Sequence, residues 1–79
     1  MQVTVLWFAH LRDQRGRDSE VVATTAITLR EFYRELAQRH GLTLPEKSIV
    51  PAINDAMVRW DAPLADGCTV VFLPPVSGG

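Results

Sequence analysis

The opening stretch of the chain carries apolar residues on both faces of a predicted strand. Val3, Val5 and Trp7 would share one face, while Leu6 and Phe8 would lie on the other. Apolar residues on both faces are typical of a strand inside a sheet rather than at its edge. We therefore predict a central strand at the start of the chain, covered on one face by a helix.

A polar run after this strand predicts a change of element. Residues 10–18 are mostly charged or amide-bearing and include Gly16, which is typical of a loop or a short helical turn. Residues 19–24 again favour a strand. The first two strands are therefore expected to form a wide hairpin.

One helix is predicted from residue 29 to the glycine at position 41. Thr28 and Glu31 have the spacing of a capping box, in which each side chain accepts from a backbone N–H of the other residue. The apolar positions that follow lie on one helical stripe: Leu29, Phe32, Tyr33, Leu36 and Ala37. Gly41 ends the helix, a common C-terminal role of glycine.

A second hairpin is predicted in the next part of the chain. Two largely apolar stretches, residues 49–53 and 56–60, flank the turn-forming pair Asn54-Asp55. Because Pro51 cannot donate a backbone hydrogen bond, its strand should lie at a sheet edge or be interrupted at that residue.

The last predicted strand, residues 69–73, follows turn-forming residues at 63–67. The element order is then strand, strand, helix, strand, strand, strand. Two hairpins around one helix predict an α+β fold, in which a mixed five-stranded sheet packs on one main helix and the last strand lies beside the first. This is the β-grasp pattern.

Only one face of the last strand can be covered by the helix. Either Val71 and Leu73 or Val70 and Phe72 must therefore face away from it. The uncovered pair is a candidate surface for a partner protein, and ordinary core packing is the alternative.

Length, hydropathy and charge narrow the class of protein. A chain of 79 residues is expected to form one domain. No apolar run approaches the ~20 residues of a membrane span, and the pattern of a signal peptide is absent, so we predict a cytoplasmic protein with no membrane partner. The net charge of −1 argues against nucleic acid as a partner.

The cysteine and histidine content bears on metal chemistry. A single cysteine, Cys68, excludes a disulfide framework, a four-thiolate iron–sulfur cluster and a zinc site built from cysteines within one chain. His10 and His40 stand apart from any carboxylate or cysteine pattern with metal spacing. We predict no metal site and assign these three residues ordinary structural roles.

The sequence ends on a proline pair and a diglycine. We expect a domain over residues 1–75 and a flexible tail over residues 76–79. Gly78 and Gly79 carry no side chain that could pack, which suits a narrow partner site that receives the backbone itself. The carboxylate of Gly79 is then a candidate reactive group, and a frayed terminus without function is the alternative.

Three local motifs occur together in this order. They are Phe8-Ala9 with Leu11-Arg12-Asp13 and Gly16, then Ile53-Asn54 and Val58 ahead of Leu64-Ala65-Asp66-Gly67, and finally Pro74-Pro75-Val76-Ser77-Gly78-Gly79. With these motifs the chain resembles, from end to end, the sulfur-carrier small subunits of molybdopterin synthase, a ubiquitin-like β-grasp family. It departs from the family at Leu73, often aromatic there, and at Cys68, often acidic.

The resemblance implies that Gly79 carries the chemistry. A ubiquitin-activating-like adenylyltransferase would use ATP to adenylate its carboxylate, and a sulfur donor protein would convert the adenylate into a thiocarboxylate. The large subunit of molybdopterin synthase, in a heterotetramer, would then transfer the sulfur to a pterin precursor. The chain itself would bind no cofactor and supply no catalytic side chain.

The resemblance also assigns roles to the residues before Gly79. Pro75, Val76, Ser77 and Gly78 would thread into the partner. Phe72, Leu73 and Pro74 would contact its surface.

Other functions share the fold and the diglycine end. The chain could carry sulfur for thiamine, for cysteine or for tRNA thiolation. It could be a ubiquitin-like modifier joined through Gly79 to target lysines, or a binding module whose tail has no role.

Overall fold

The computed structural model describes residues 1–75, in which five strands form one mixed sheet. The elements are β1 (Gln2–Leu6), α1 (Ala9–Arg15), β2 (Ser19–Ala23), α2 (Leu29–His40), a 3₁₀ turn (Glu46–Ser48), β3 (Val50–Ile53), β4 (Ala56–Met57) and β5 (Thr69–Leu73). The strand order across the sheet is β2-β1-β5-β3-β4. β1 and β5 are parallel, and the other neighbouring strands are antiparallel. The predicted β-grasp sheet is confirmed.

The polar run after β1 is a helix of seven residues rather than a loop. α1 buries Leu11, which is 1% exposed, and the helix ends at Gly16 in the left-handed conformation with φ 77°. One buried residue in seven leaves no helical stripe in the sequence, so the pattern could not separate a helix from a loop.

The main helix has the predicted bounds, and its N-terminal cap differs from the predicted capping box in one bond. The Thr28 hydroxyl accepts from the backbone N–H of Glu31 at 3.2 Å. The Glu31 carboxylate accepts from that hydroxyl at 3.3 Å, instead of from the Thr28 backbone N–H as predicted. Gly41, with φ 68°, donates its N–H to the carbonyl of Ala37 and ends the helix.

Pro51 limits the outer hairpin. β3 lies between β5 and β4, so it is not an edge strand. Val58 donates to the Pro51 carbonyl at 3.1 Å, but Pro51 has no N–H with which to return the bond. The ladder therefore stops at Met57, and the predicted strand over 56–60 is wrong beyond that residue. Of the two expectations for Pro51, interruption of the pairing is the correct one.

The core lies between α2 and one face of the sheet. Its largest fully buried side chains are Trp7, Phe32, Phe72, Leu11, Leu29, Leu36, Val3, Val5 and Val70. Burying side chains of this size stabilises the fold by about 1.5–3 kcal/mol each before entropy is counted. Within residues 1–75 no helix covers the opposite face of the sheet, and this asymmetry creates the candidate site.

A partly buried ion pair links the first hairpin to α1. The Glu20 side chain is 9% exposed and accepts from Trp7 Nε1 at 2.7 Å and from Arg15 Nη2 at 2.7 Å. Burial raises the pKa of Glu20, but the hydrogen bonds from Arg15 and Trp7 outweigh it and hold the pKa below its usual value. Glu20 is therefore charged at neutral pH.

Replacing Glu20 with glutamine is expected to destabilise the protein by about 2 kcal/mol near neutral pH, because Arg15 loses its ionised partner. A carboxyl whose pKa is lowered by folding stabilises above its unfolded pKa, and this contribution is lost as the pH falls through the folded value. Urea unfolding measured from about pH 7 to about pH 3 should therefore show that the difference in unfolding free energy between parent and variant becomes smaller as the pH falls. Asp61→Asn, at a side chain 69% exposed, is the control. A difference in unfolding free energy that stays constant with pH would contradict a stabilising role for the charged form of Glu20.

Candidate functional site

The site begins where β5 leaves the sheet. Leu73 is half-buried at the end of the strand, and Pro74 and Pro75 are exposed. The prolines restrict the backbone at this exit because their rings fix φ. The predicted tail residues Val76, Ser77, Gly78 and Gly79 follow, outside the described residues.

Aromatic packing anchors β5 just before this exit. The ring centroid of Phe72 lies 4.9 Å from that of Tyr33, 5.7 Å from Trp7 and 6.1 Å from Trp60. The Tyr33 hydroxyl donates to the Leu44 carbonyl at 2.6 Å, and burial raises the pKa of this tyrosine. The cluster holds the end of the strand in one position.

The predicted partner contact at Phe72 does not fit this packing. The side chain is 1% exposed and faces the core, so it offers no surface to a second protein. Leu73 and Pro74, the other two residues predicted to contact a partner, are at the surface.

The structure decides which face of β5 is uncovered. Val70 and Phe72 point towards α2 and are 0% and 1% exposed. Val71 and Leu73 alternate with them on the opposite face and are half-buried. The candidate partner surface therefore includes Val71 and Leu73.

A groove of about 290 Å³ runs across this uncovered face. Its lining residues are Leu6, Phe8, Ala52, Asp55, Met57, Val71 and Leu73. Phe8 and Met57 are 43% and 78% exposed, so both offer apolar surface at the groove. An exposed apolar groove of this kind is a candidate binding surface. Because Leu73 also begins the exit segment, the groove and the exit form one site.

Backbone geometry at Ala9 places Phe8 at this groove. Trp7 and Leu11 are both buried, so the chain must turn sharply between them. Ala9 makes the turn with φ 51°, in the left-handed region that alanine rarely adopts. Phe8 is left extended and exposed beside the groove. Strained conformations of this kind are concentrated at functional positions.

The hairpin turn between β3 and β4 is fastened to β5. Asn54 and Asp55 have φ values of 50° and 69°, as a tight hairpin turn requires. Asn54 donates its N–H to the Thr69 carbonyl at 2.8 Å, and its Oδ1 accepts from Thr69 N–H at 2.9 Å. The pair of bonds fixes the turn, and with it Asp55, at the rim of the groove.

A second hollow, of about 360 Å³, lies beside the end of α1. Arg12, Asp13, Gly16, Arg17 and Asp18 line it. Arg12 and Asp18 pair at 3.8 Å on exposed side chains. Two arginines and two aspartates line this open hollow, so their charges balance. The lining therefore does not favour a ligand of either charge.

The remaining titratable residues do not form a metal centre. Within residues 1–75, no cluster of three or more His, Cys, Asp or Glu side chains could hold a metal ion. Cys68 is 3% exposed. Burial and the charge of Arg15 lower the pKa of His40, which favours its neutral form at pH 7. No helix in the described part of the chain is both long and apolar enough to span a membrane.

A model of the ThiS protein family matches residues 5–79 of the chain. The chain belongs to the ThiS family. The match begins inside β1 and continues to Gly79, so it includes both the sheet and the diglycine end.

ThiS-family relatives resemble the chain over nearly its whole length. The molybdopterin synthase sulfur carrier subunit of Escherichia coli is 38% identical over 80 residues, covering 98% of this chain and 99% of the relative. The sequence-based resemblance is confirmed.

Solved structures of similar proteins confirm the fold. A Pyrococcus furiosus protein proposed to be subunit 1 of the molybdopterin converting factor is 29% identical, with a TM-score of 0.79 over 96% of this chain and 99% of that one. In the Helicobacter pylori complex of subunits 1 and 2 of the molybdopterin-converting factor, the matched chain is 29% identical, with a TM-score of 0.69 and full coverage of both chains.

Sequence reasoning did not identify most of the groove of this ThiS-family chain. It placed Phe8 in the first strand and Met57 in a longer fourth strand, and it assigned Asp55 to a turn. The available signal was the adjacent pair Trp7-Phe8. Neighbouring residues of a strand point to opposite faces, and the helix covers only one face, so one of these two aromatic side chains had to lie on the uncovered face.

Proposed function

We propose that this chain is the sulfur-carrying small subunit of a molybdopterin synthase, with the carboxylate of Gly79 as the group that carries sulfur. The proposal is supported most by the near full-length match to the sulfur carrier subunit of E. coli. The geometry is compatible with it, because the exposed Pro74-Pro75 exit leaves a firmly packed strand directly beside an apolar groove.

The proposed chemistry takes place on the terminal carboxylate. A carboxylate does not react with sulfide because its oxygen is a poor leaving group. An adenylyltransferase joins the carboxylate to the α-phosphate of ATP and releases pyrophosphate. Sulfide from a donor protein then attacks the acyl carbon, a C–S bond forms, and AMP leaves. The product is a thiocarboxylate on Gly79, and ATP is used by the activating partner.

The groove is the proposed docking surface for the large subunit. Leu73, Phe8 and Met57 offer exposed apolar area that a partner can cover, and burying such area favours association by about 25 cal/mol per Å². Docking there places the Pro74-Pro75 exit next to the partner. Four extended residues span at most about 13 Å, which sets the depth that the tail could reach.

The tail sequence suits entry into a narrow site. Pro75, Val76, Ser77 and Gly78 are the proposed threading residues. Glycine has no Cβ, so the backbone can pass where a side chain would collide. The reactive carbon is then presented by the backbone alone; the activating enzyme supplies the nucleotide site and the large subunit supplies the pterin site.

The test is the intact mass of the untagged chain after incubation with its organism's activating enzyme, Mg-ATP and a sulfur donor. The expected gain equals the difference between one sulfur and one oxygen atom, and it disappears without ATP. Failure to gain this mass, with an activating enzyme shown to load another carrier, would contradict the proposal. Conjugates to lysines on a denaturing gel would instead indicate a modifier.

A further inference from the structure

Asp55 is the charged member of an otherwise apolar groove. The other six lining residues are Leu6, Phe8, Ala52, Met57, Val71 and Leu73. Within residues 1–75, Asp55 takes part in no ion pair. Asp55 is an exposed residue, so its carboxylate is open to solvent in the free protein.

The backbone position of Asp55 is fixed by the turn that carries it. Asn54 exchanges two hydrogen bonds with Thr69 of β5, at 2.8 and 2.9 Å. Both turn residues have left-handed backbone conformations. The backbone of Asp55 therefore cannot move away from the groove without breaking the turn or its attachment to β5, and its carboxylate stays within side-chain reach of the groove.

Covering the groove has an electrostatic consequence. A partner that fills it with apolar side chains removes water from the Asp55 carboxylate. A carboxylate that loses water without gaining a hydrogen-bonded or charged partner strongly opposes association. A wholly apolar partner surface would therefore bind poorly here, although the rest of the groove suits it.

We propose that the protein that docks on this groove places a lysine or arginine side chain against Asp55, surrounded by apolar side chains that fill the remainder. This inference rests on the proposed function, which takes that protein to be the synthase large subunit. The apolar contacts supply most of the buried area. The ion pair selects the correct partner and the correct register, because a neutral or acidic group at the same place is rejected.

The test compares dissociation constants for the large subunit from the same organism. Asp55→Asn keeps the size of the side chain and removes the charge, and it is expected to weaken binding at least about tenfold. Asp55→Lys places like charges together and is expected to weaken it further. Asp61→Asn removes an equal charge from an exposed side chain that does not line the groove, and its binding should match the parent.

The salt dependence provides a second readout. Parental binding should weaken as salt is raised, and Asp55→Asn should respond less because it has lost the screened attraction. Parental or tighter binding by Asp55→Asn would overturn the inference, since it would mean that no cation faces the carboxylate.

A groove variant separates this inference from the proposal on which it rests. Met57 is 78% exposed, so Met57→Glu puts a charge into the groove without disturbing the core. If Met57→Glu loses binding while Asp55→Asn keeps it, the groove is the docking surface and only the cation is wrong. If Met57→Glu binds like the parent, the groove is not the docking surface. Docking on the groove and the cation facing Asp55 are then both wrong. Sulfur loading of Gly79, measured by mass, tests the carrier function independently.

Discussion

Deleting Gly79, or adding one residue after it, is expected to abolish sulfur transfer and leave the fold intact. Either change moves the terminal carboxylate by about one residue, or ~3.3 Å. Misplacing a reacting group by as little as ~1 Å can slow a reaction about 10²-fold. The measurements are the thiocarboxylate formed by the activating enzyme and the rate at which the complete synthase converts its pterin substrate.

Asp61→Asn is the matched control for these variants, because Asp61 is an exposed residue outside the groove and the tail. It keeps the backbone length and the terminal diglycine, so transfer should stay close to the parental rate. Thermal unfolding should be the same for all three variants, because none of them changes a core residue of the described part of the chain. Transfer at the parental rate by either length variant would exclude Gly79 as the sulfur carrier.

Phe72→Ala is expected to destabilise the protein by about 3–5 kcal/mol. The ring is 1% exposed and contacts three other aromatic rings, so its removal leaves a cavity between the sheet and α2. Small domains have unfolding free energies of about 5–15 kcal/mol. The loss would therefore leave much of the variant unfolded at moderate temperature, as urea or thermal unfolding can show.

The neighbouring Leu73→Ala is the comparison for Phe72. Leu73 is half-buried on the uncovered face, and its truncation should cost clearly less stability while weakening the docking of the large subunit. Similar stability losses for the two variants would contradict the assignment of Phe72 to the core and Leu73 to the groove.

Most of the fold could be predicted because strong local patterns agreed with the final packing. The stripe from Leu29 to Leu36, the Thr28 cap and Gly41 together defined α2. The length of β4 was not predictable in the same way. Its sequence favours a strand beyond Met57, but the missing N–H of Pro51 on the neighbouring strand ends the ladder.

The candidate site divides into a part that sequence reveals and a part that it does not. The proline pair and diglycine form a contiguous motif, so the exit was visible directly. The groove collects residues from β1 and the residues after it, from the hairpin and from β5. The alternation of apolar residues in β5 does not tell whether Val71 faces α2 or the groove. Only the position of α2 decides the face, and that is a tertiary contact.

The central position of β5 has a consequence for how the protein is made. β5 lies between β1 and β3, and Thr4 on β1 pairs with Thr69 on β5. During synthesis, β1 and β3 have no common neighbour until residues 69–73 have left the ribosome, so the sheet closes late and through contacts distant in sequence. A truncated nascent chain that lacks this strand can neither complete the domain nor present the segment that follows the strand.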